Sequence, residues 1–272
     1  VHLYGSPEEM GEQYGSLLKP RLQLVAACVN LFMPADKKEK AARFAEALEK
    51  NLPEEARTEL KAIARASGVP YATLVAANVT PNILCTTLAV WDKATKDGRL
   101  IFGRNSDYPA FGLEKVIGVI VVYHPDRGTP LISVSYLGMI GSSTGINSKG
   151  VAFGNMLSLN ARHPRTNPDG LPIQLQLRRV AHRAQSAEEF ARQLLGLKHL
   201  IPMNVMVADD KGAVAVELGV DAGETRTSRN GVLAASNYFL CPRLASYPSE
   251  CSRYLSLIRS AKEHFGAYDV EA

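Results

Sequence analysis

At Pro81 the hydrophobic periodicity of this chain changes, and that change limits the folds open to it. Over residues 6 to about 79, apolar positions such as Leu17, Leu18, Leu22, Leu24, Val25 and Cys28 recur at steps of three and four, which predicts helices. Pro20 and Pro53 fall where helices would begin or end. Ser6-Pro7-Glu8-Glu9 reads as an N-cap with proline in the first turn and two acids at the positive end of the helix dipole. Beyond Pro81 the pattern is that of strands. Residues 86–92 are rich in β-formers, Asp97-Gly98 is a hairpin signal, and residues 100–103 make the return strand. The runs 116–122 and 131–136 read as strands buried on both faces. Gly145-Ile146-Asn147-Ser148-Lys149-Gly150-Val151-Ala152-Phe153 reads as strand, turn, strand, with Asn and Gly supplying the turn. Helices are predicted over 172–184 and 187–195, the second capped by Ser186 with Glu189 at its capping-box position. Strands over 204–208, 214–218 and 232–235 and a helix over 252–264 complete the pattern.

Hairpin-joined strands with helices in blocks predict an antiparallel α+β protein rather than βαβ alternation. A four-layer αββα sandwich, two stacked antiparallel sheets between helices, fits this order. The chain then divides into a helical segment, 1–84, and an αββα core, 85–272.

Composition removes several function classes. With 272 residues, 46% hydrophobic and 21% charged, disorder is not indicated, and one large domain or two small ones can form. The net charge of +4 is scattered, and its densest run, Lys37-Lys38-Glu39-Lys40, reads as a solvated helix face, so nucleic acid is not an expected partner. No stretch approaches the ~20 apolar residues of a membrane span. The start, Val1-His2-Leu3-Tyr4-Gly5, has neither a charged nor an apolar leader region, which predicts a cytoplasmic protein, while the missing initiator Met leaves a removed leader open. The four cysteines, Cys28, Cys85, Cys241 and Cys251, have neither zinc-site spacing nor the density of a disulfide scaffold, and read as free thiols. Neither metal nor cofactor is expected, because His, Cys and acidic residues are not clustered at ligand spacings.

Cys85 is the exception to an otherwise bland thiol inventory. A thiol acts as a nucleophile only as thiolate, and so needs a base or a positive neighbour. With the hairpin turn near Asp97-Gly98, the start of the first strand lies opposite the end of the second, which brings Arg104 and Asp107 beside Cys85. No imidazole base is evident. His124 precedes Pro125-Asp126 and His163 precedes Pro164, turn contexts that place both toward solvent. A cysteine can carry its own base instead. Cutting the bond before Cys85 would free an α-amino group of reference pKa about 7.7 to 8.0, matched to proton transfer near neutral pH.

The pattern Cys85-Thr86, Asp97-Gly98 and Phe102-Gly103-Arg104-Asn105-x-Asp107 resembles the N-terminal-nucleophile (Ntn) hydrolases of the bile-salt hydrolase and penicillin acylase type. The internal cysteine, and a helical segment opening with Gly5-Ser6-Pro7-Glu8-Glu9-Met10-Gly11, resemble the acyl-CoA:6-aminopenicillanic acid acyltransferase branch, whose precursors cut themselves before the cysteine. Gly145 to Gly150 is similar to a family turn, Ala235-Ser236-Asn237-Tyr238-Phe239 to its Asn-containing strand end, and Ser252-Arg253-Tyr254 to the start of a helix that brings a second arginine.

The resemblance implies a cut between Leu84 and Cys85, with Cys85 as nucleophile and its freed amine as base. Asp107 would hold that amine and Arg104 would bias the thiol toward thiolate. Asn237 would offer its NH2 to the oxyanion, Asn155 would stand beside it, and Arg253 would complete the charge network. Leu84 stands where the penicillin-forming enzyme has glycine, a bulk that bears on the N-to-S acyl shift. The implied activity is that of an amidohydrolase or acyltransferase on the C–N amide bond of a small N-acyl compound or acyl donor, through a Cys85 thioester. The cut fragments would stay together as a heterodimer, with a higher homo-oligomer admitted. Two other readings stay open: a non-catalytic ligand-binding member of the same fold, and a cysteine peptidase without self-processing. Cys28 reads as core, Cys241 and Cys251 as incidental. The substrate is beyond sequence, because apolar acyl pockets cannot be located from it.

Overall fold

A computed structural model of the chain describes residues 1–32, 34–79, 84–107, 114–163, 166–248 and 251–270. The change of style assigned to Pro81 lies outside them. Ser6 caps the first helix as its sequence predicts: its Oγ accepts the Glu9 N–H at 3.3 Å while Glu9 Oε2 accepts the Ser6 N–H at 2.8 Å. The first stretch runs β1 (His2–Gly5), α1 (Pro7–Leu17), α2 (Lys19–Phe32), α3 (Ala35–Glu49), α4 (Glu54–Ser67) and α5 (Tyr71–Val79). Then come β2 (Leu84–Asp92), β3 (Gly98–Asp107), α6 (Glu114–Ile117), β4 (Gly118–Pro125), β5 (Leu131–Tyr136), β6 (Thr144–Asn147) and β7 (Ala152–Leu157). The remainder is α7 (Ile173–Ala181), α8 (Ala187–Leu195), β8 (Met203–Asp209), β9 (Gly212–Leu218), β10 (Gly223–Arg226), β11 (Val232–Ala235) and α9 (Ser252–Glu263).

Contacts group these elements into two compact units that interleave along the chain. One comprises Val1–Thr80, Ala110–Gly145 and Gln174–Arg183, the other Pro81–Pro109, Ile146–Ile173 and Ala184–Ala272. In the first unit β1 runs parallel to β4 (Leu3 opposite Tyr123) and β4 antiparallel to β5 (Val121 opposite Ser133). The run 116–122, expected to be one strand buried on both faces, is corrected in two ways. Val116 and Ile117 close α6, and the strands that follow alternate. Leu3, Val121, Tyr123 and Leu131 are buried, while Ile120, Ile132 and Val134 are 57%, 44% and 51% exposed. The same unit buries an ion pair: Arg178 Nη1 donates to both Glu59 carboxylate oxygens at 2.8 Å, and its guanidinium lies 3.8 Å from the centre of the Tyr123 ring. Beside it the His182 ring bonds the Thr129 carbonyl through Nδ1 at 2.8 Å, and burial, helped by Arg178, pushes its pKa down to about 4.

The second unit is the four-layer sandwich. Strands β7, β8, β9 and β10 pair antiparallel in that order, with Asn155 opposite Val205 and Asn204 opposite Glu217. A three-stranded antiparallel sheet, β11-β2-β3, packs on them. Helix α8 covers β8 and β9 from outside, and α9 covers β11 and β2 on the opposite side. Between the sheets lies a core of small and flexible side chains: Cys85, Ala89, Met156, Met206, Ala208, Ala213, Ala215, Leu233 and Ala235. Such residues let the two sheets approach closely. Among the described residues no helix is long and apolar enough to cross a membrane, and no group of three or more His, Cys, Asp or Glu could hold a metal ion. None of the four cysteines forms a disulfide.

Candidate active site

Cys85 is the second residue of β2, and the alternation of the strand turns its side chain inward with Thr87 and Ala89. Its neighbours follow from hairpin register. The pairs Cys85–Ser106, Thr87–Arg104 and Leu84–Asp107 put Arg104 on the inner face two residues along, and Asp107 on the opposite face across from Leu84. The turn is longer than Asp97-Gly98 alone: Asp92 pairs with Gly98, the intervening residues form the loop, and Gly98 takes the left-handed φ of 76°.

The Arg104 guanidinium spans the space between the sheets. Its Nε and Nη2 donate to the Asn155 carbonyl at 3.2 and 2.7 Å, and Nη2 also reaches Cys85 Sγ at 3.3 Å. The brace requires Gly154, because a Cβ there would come within 2.5 Å of Arg104 Cδ. From the other side, the Cys85 backbone N–H donates to Asn237 Oδ1 at 2.7 Å. Arg253, in the first turn of α9, donates through Nη2 to the same Oδ1 at 2.9 Å and through Nη1 to the Cys85 carbonyl at 3.0 Å. Sulfur, main-chain nitrogen and carbonyl of one residue are thus each held by a different side chain. Cys85 and Asn237 are fully buried.

Two expectations are changed by this geometry, and the position of Asp107 is given by it. Asn155 is present, but only its carbonyl faces the site. On β7 its side chain shares a face with Phe153, which packs on Phe190 of α8, whereas Gly154 and Met156 face the second sheet. Its buried amide makes no hydrogen bond through either Oδ1 or Nδ2. Asn237 faces Cys85 with its oxygen, not its NH2, since two donors converge on Oδ1 while Nδ2 donates to the Leu157 carbonyl at 2.7 Å. Asp107 is exposed and accepts from Asn105 Nδ2 at 3.0 Å, on the face away from the Cys85 sulfur. Leu84 is 37% exposed. Of the two histidines set aside, His163 is exposed, and His124 stacks 4.4 Å from Tyr4 in the first unit.

Sequence reasoning missed Gly154 as the seat of Arg104, and Leu157 as the carbonyl that orients Asn237. The signal for the first was a glycine within a strand, which marks a close approach. None existed for the second, because a backbone acceptor has no residue identity.

Two stacked antiparallel sheets between helices, with a cysteine at the head of an inner strand, define the Ntn-hydrolase class of fold. The solved structure of a Caenorhabditis elegans N-acylethanolamine-hydrolyzing acid amidase ortholog is similar to this chain, with a TM-score of 0.54 and 19% identity over 69% of this chain and 82% of that one. The chain belongs to the acyl-coenzyme A:6-aminopenicillanic acid acyl-transferase family, whose model matches residues 93–261. That match takes in Arg104, Asp107, Asn155, Asn237 and Arg253 and begins after Cys85. An uncharacterized protein of Archaeoglobus fulgidus is 24% identical over 335 positions, 100% of this chain and 56% of that protein. Protein dcd1B of Dictyostelium discoideum is 26% identical over 262 positions, 84% of this chain and 49% of that protein. The chain spans about half the length of these curated relatives.

Proposed function

We propose that this chain is a self-processing cysteine Ntn enzyme, and that after cutting before Cys85 it acts on the amide bond of a small N-acyl compound. The observation that carries this reading is the convergence of Arg104, Asn237 and Arg253 on the sulfur, nitrogen and carbonyl of Cys85. A core cysteine needs none of these partners, and Arg104 and Arg253, both half-buried, give up part of their hydration to reach it.

In the self-cut, Cys85 Sγ attacks the Leu84 carbonyl carbon, the C–N bond to Cys85 breaks, and the nitrogen keeps its electron pair and takes a proton. The product is a thioester of Leu84 with a free Cys85 amine. Water hydrolyses the thioester, releasing the Leu84 carboxylate and restoring the thiol. In turnover the amine accepts the thiol proton, sulfur attacks the substrate carbonyl, and the leaving amine takes the proton. The acyl-cysteine then passes its acyl group to water or to an acceptor amine. Arg104 donates toward the sulfur from a fixed brace, and Asn237 Oδ1 orients the new amine, which gains hydrogens to donate once the peptide bond is gone. Asp107, across from Leu84, supplies a carboxylate beside the severed end. The fragments 1–84 and 85–272 remain associated.

The experiment is a panel of N-acyl amides, β-lactams and short peptides, followed by release of free amine. Amine release from one amide class by the wild type, and none by Cys85→Ala, supports the reading. A wild-type protein that binds acyl compounds without releasing amine favours the ligand-binding alternative.

A further inference from the structure

We propose that Asn204 and Glu217 are positioning residues that set Asn237 against Cys85, and this rests on the reading of the site above. They pair across β8 and β9 and are buried, on the sheet face whose other residues include Met156, Met206 and Ala215. Two polar groups on such a face need a reason. Their partners supply it, for these belong to the segment 236–241 that follows β11, or to β10. Asn204 Nδ2 donates to the Ser236 carbonyl at 2.8 Å and the Tyr238 carbonyl at 3.0 Å, one on each side of Asn237.

Glu217 takes the next turn of the segment. Its Oε1 and Oε2 accept the Leu240 N–H at 3.1 and 3.0 Å, and Oε2 accepts the Cys241 N–H at 2.9 Å. Its charge is answered by Arg226 Nε at 2.5 Å, and Arg226 Nη2 donates in turn to the Ala234 carbonyl at 3.2 Å. A buried carboxylate is tolerated only where donors satisfy it, and here they are mostly main-chain groups with fixed positions. An amide donates to the carbonyls and a carboxylate accepts from the N–H groups, so the pair reads the segment in one conformation only. That conformation fixes the backbone of Asn237, whose side chain then sets Oδ1 against the Cys85 N–H while Nδ2 holds the Leu157 carbonyl. Neither Asn204 nor Glu217 touches Cys85 in any bond described, so both act through Asn237.

The test follows self-cutting of newly synthesised full chain by intact mass over time and across pH, for Glu217→Gln, Asn237→Ala and the double variant, with Tm measured for each. Glu217→Gln is expected to slow cutting by roughly 10- to 100-fold, the cost of a misplaced reacting group. Adding it to Asn237→Ala should slow cutting no further, because the two act as one unit. An equal slowing in both backgrounds would assign Glu217 to stability alone and overturn the proposal, as would a Glu217→Gln chain that cuts at the wild-type rate. Asn204→Ser carries the same comparison if Glu217→Gln does not fold. Full-rate cutting by Asn237→Ala would instead remove the reading of the site itself, a distinct result.

Discussion

Arg104 meets the Cys85 sulfur with one nitrogen while two of its nitrogens rest on the Asn155 carbonyl, so its placement depends on the planar fork of a guanidinium. Arg104→Lys keeps the charge and loses the fork. Alkylation of Cys85 by iodoacetamide should slow by roughly 10-fold or more, in line with the cost of lost orientation, and an unchanged rate would make the arginine a packing residue. Asp107 poses the sharper question, because its side chain lies on the face of Leu84 and not on that of the Cys85 sulfur. Asp107→Asn should fold normally, with turnover reduced by ~10- to 10,000-fold, the span of lost orientation or acid–base help. Losing a carboxylate beside an ammonium lowers the amine's pKa, so the ionisation governing kcat/KM should move to lower pH. An unmoved profile at full rate would identify a surface residue.

At the scale of elements, β7 must pass beneath Arg104, and only a residue without Cβ lets it. Gly154→Ala should leave the strand paired but displace Arg104, lowering the rate of self-cutting more than it lowers Tm; the reverse ranking would mean that Gly154 serves packing. This strand also marks where legibility ended. The hairpin β2–β3 was readable as two β-rich runs about a turn signal, but its register was not, because the loop runs from Asp92 to Gly98; the observed pairing of Thr87 with Arg104 is what puts Arg104 next to Cys85. Asn155 was within the right strand and on its wrong face, since with a period of two an offset of one residue reverses the direction of every side chain. The Ser186 cap of α8 was legible as a local motif, with the Glu189 N–H bonded to Ser186 Oγ at 3.2 Å. Strand β1 was not, as four residues with a parallel partner some 120 positions away carry no local signal. The buried pair Asn204 and Glu217 was equally silent, because the segment it holds is recognised through main-chain atoms.

For the whole molecule, two histidines, His182 half-buried and His199 buried, tie stability to pH. His182 in one unit and His199 in the other are each pushed by burial from the usual 6.5 to about 4. Both are neutral in the fold and take up a proton in the unfolded chain below pH about 6.5. Their contribution is therefore complete above that pH and is lost as pH falls toward about 4, at up to roughly 1 kcal/mol per pH unit for each site. Thermal melts between pH 7 and 4.5 should show Tm falling, and His199→Gln should flatten that fall; a slope unaltered in the variant would place the dependence elsewhere.

The covalent state of the chain bears on every level of this account. Intact-mass measurement of the freshly purified protein should give two fragments that divide between Leu84 and Cys85, while Cys85→Ala gives one uncut chain. A wild-type protein that stays whole while releasing amine from an amide substrate would contradict self-processing and leave Cys85 without the amine that the mechanism gives it as a base.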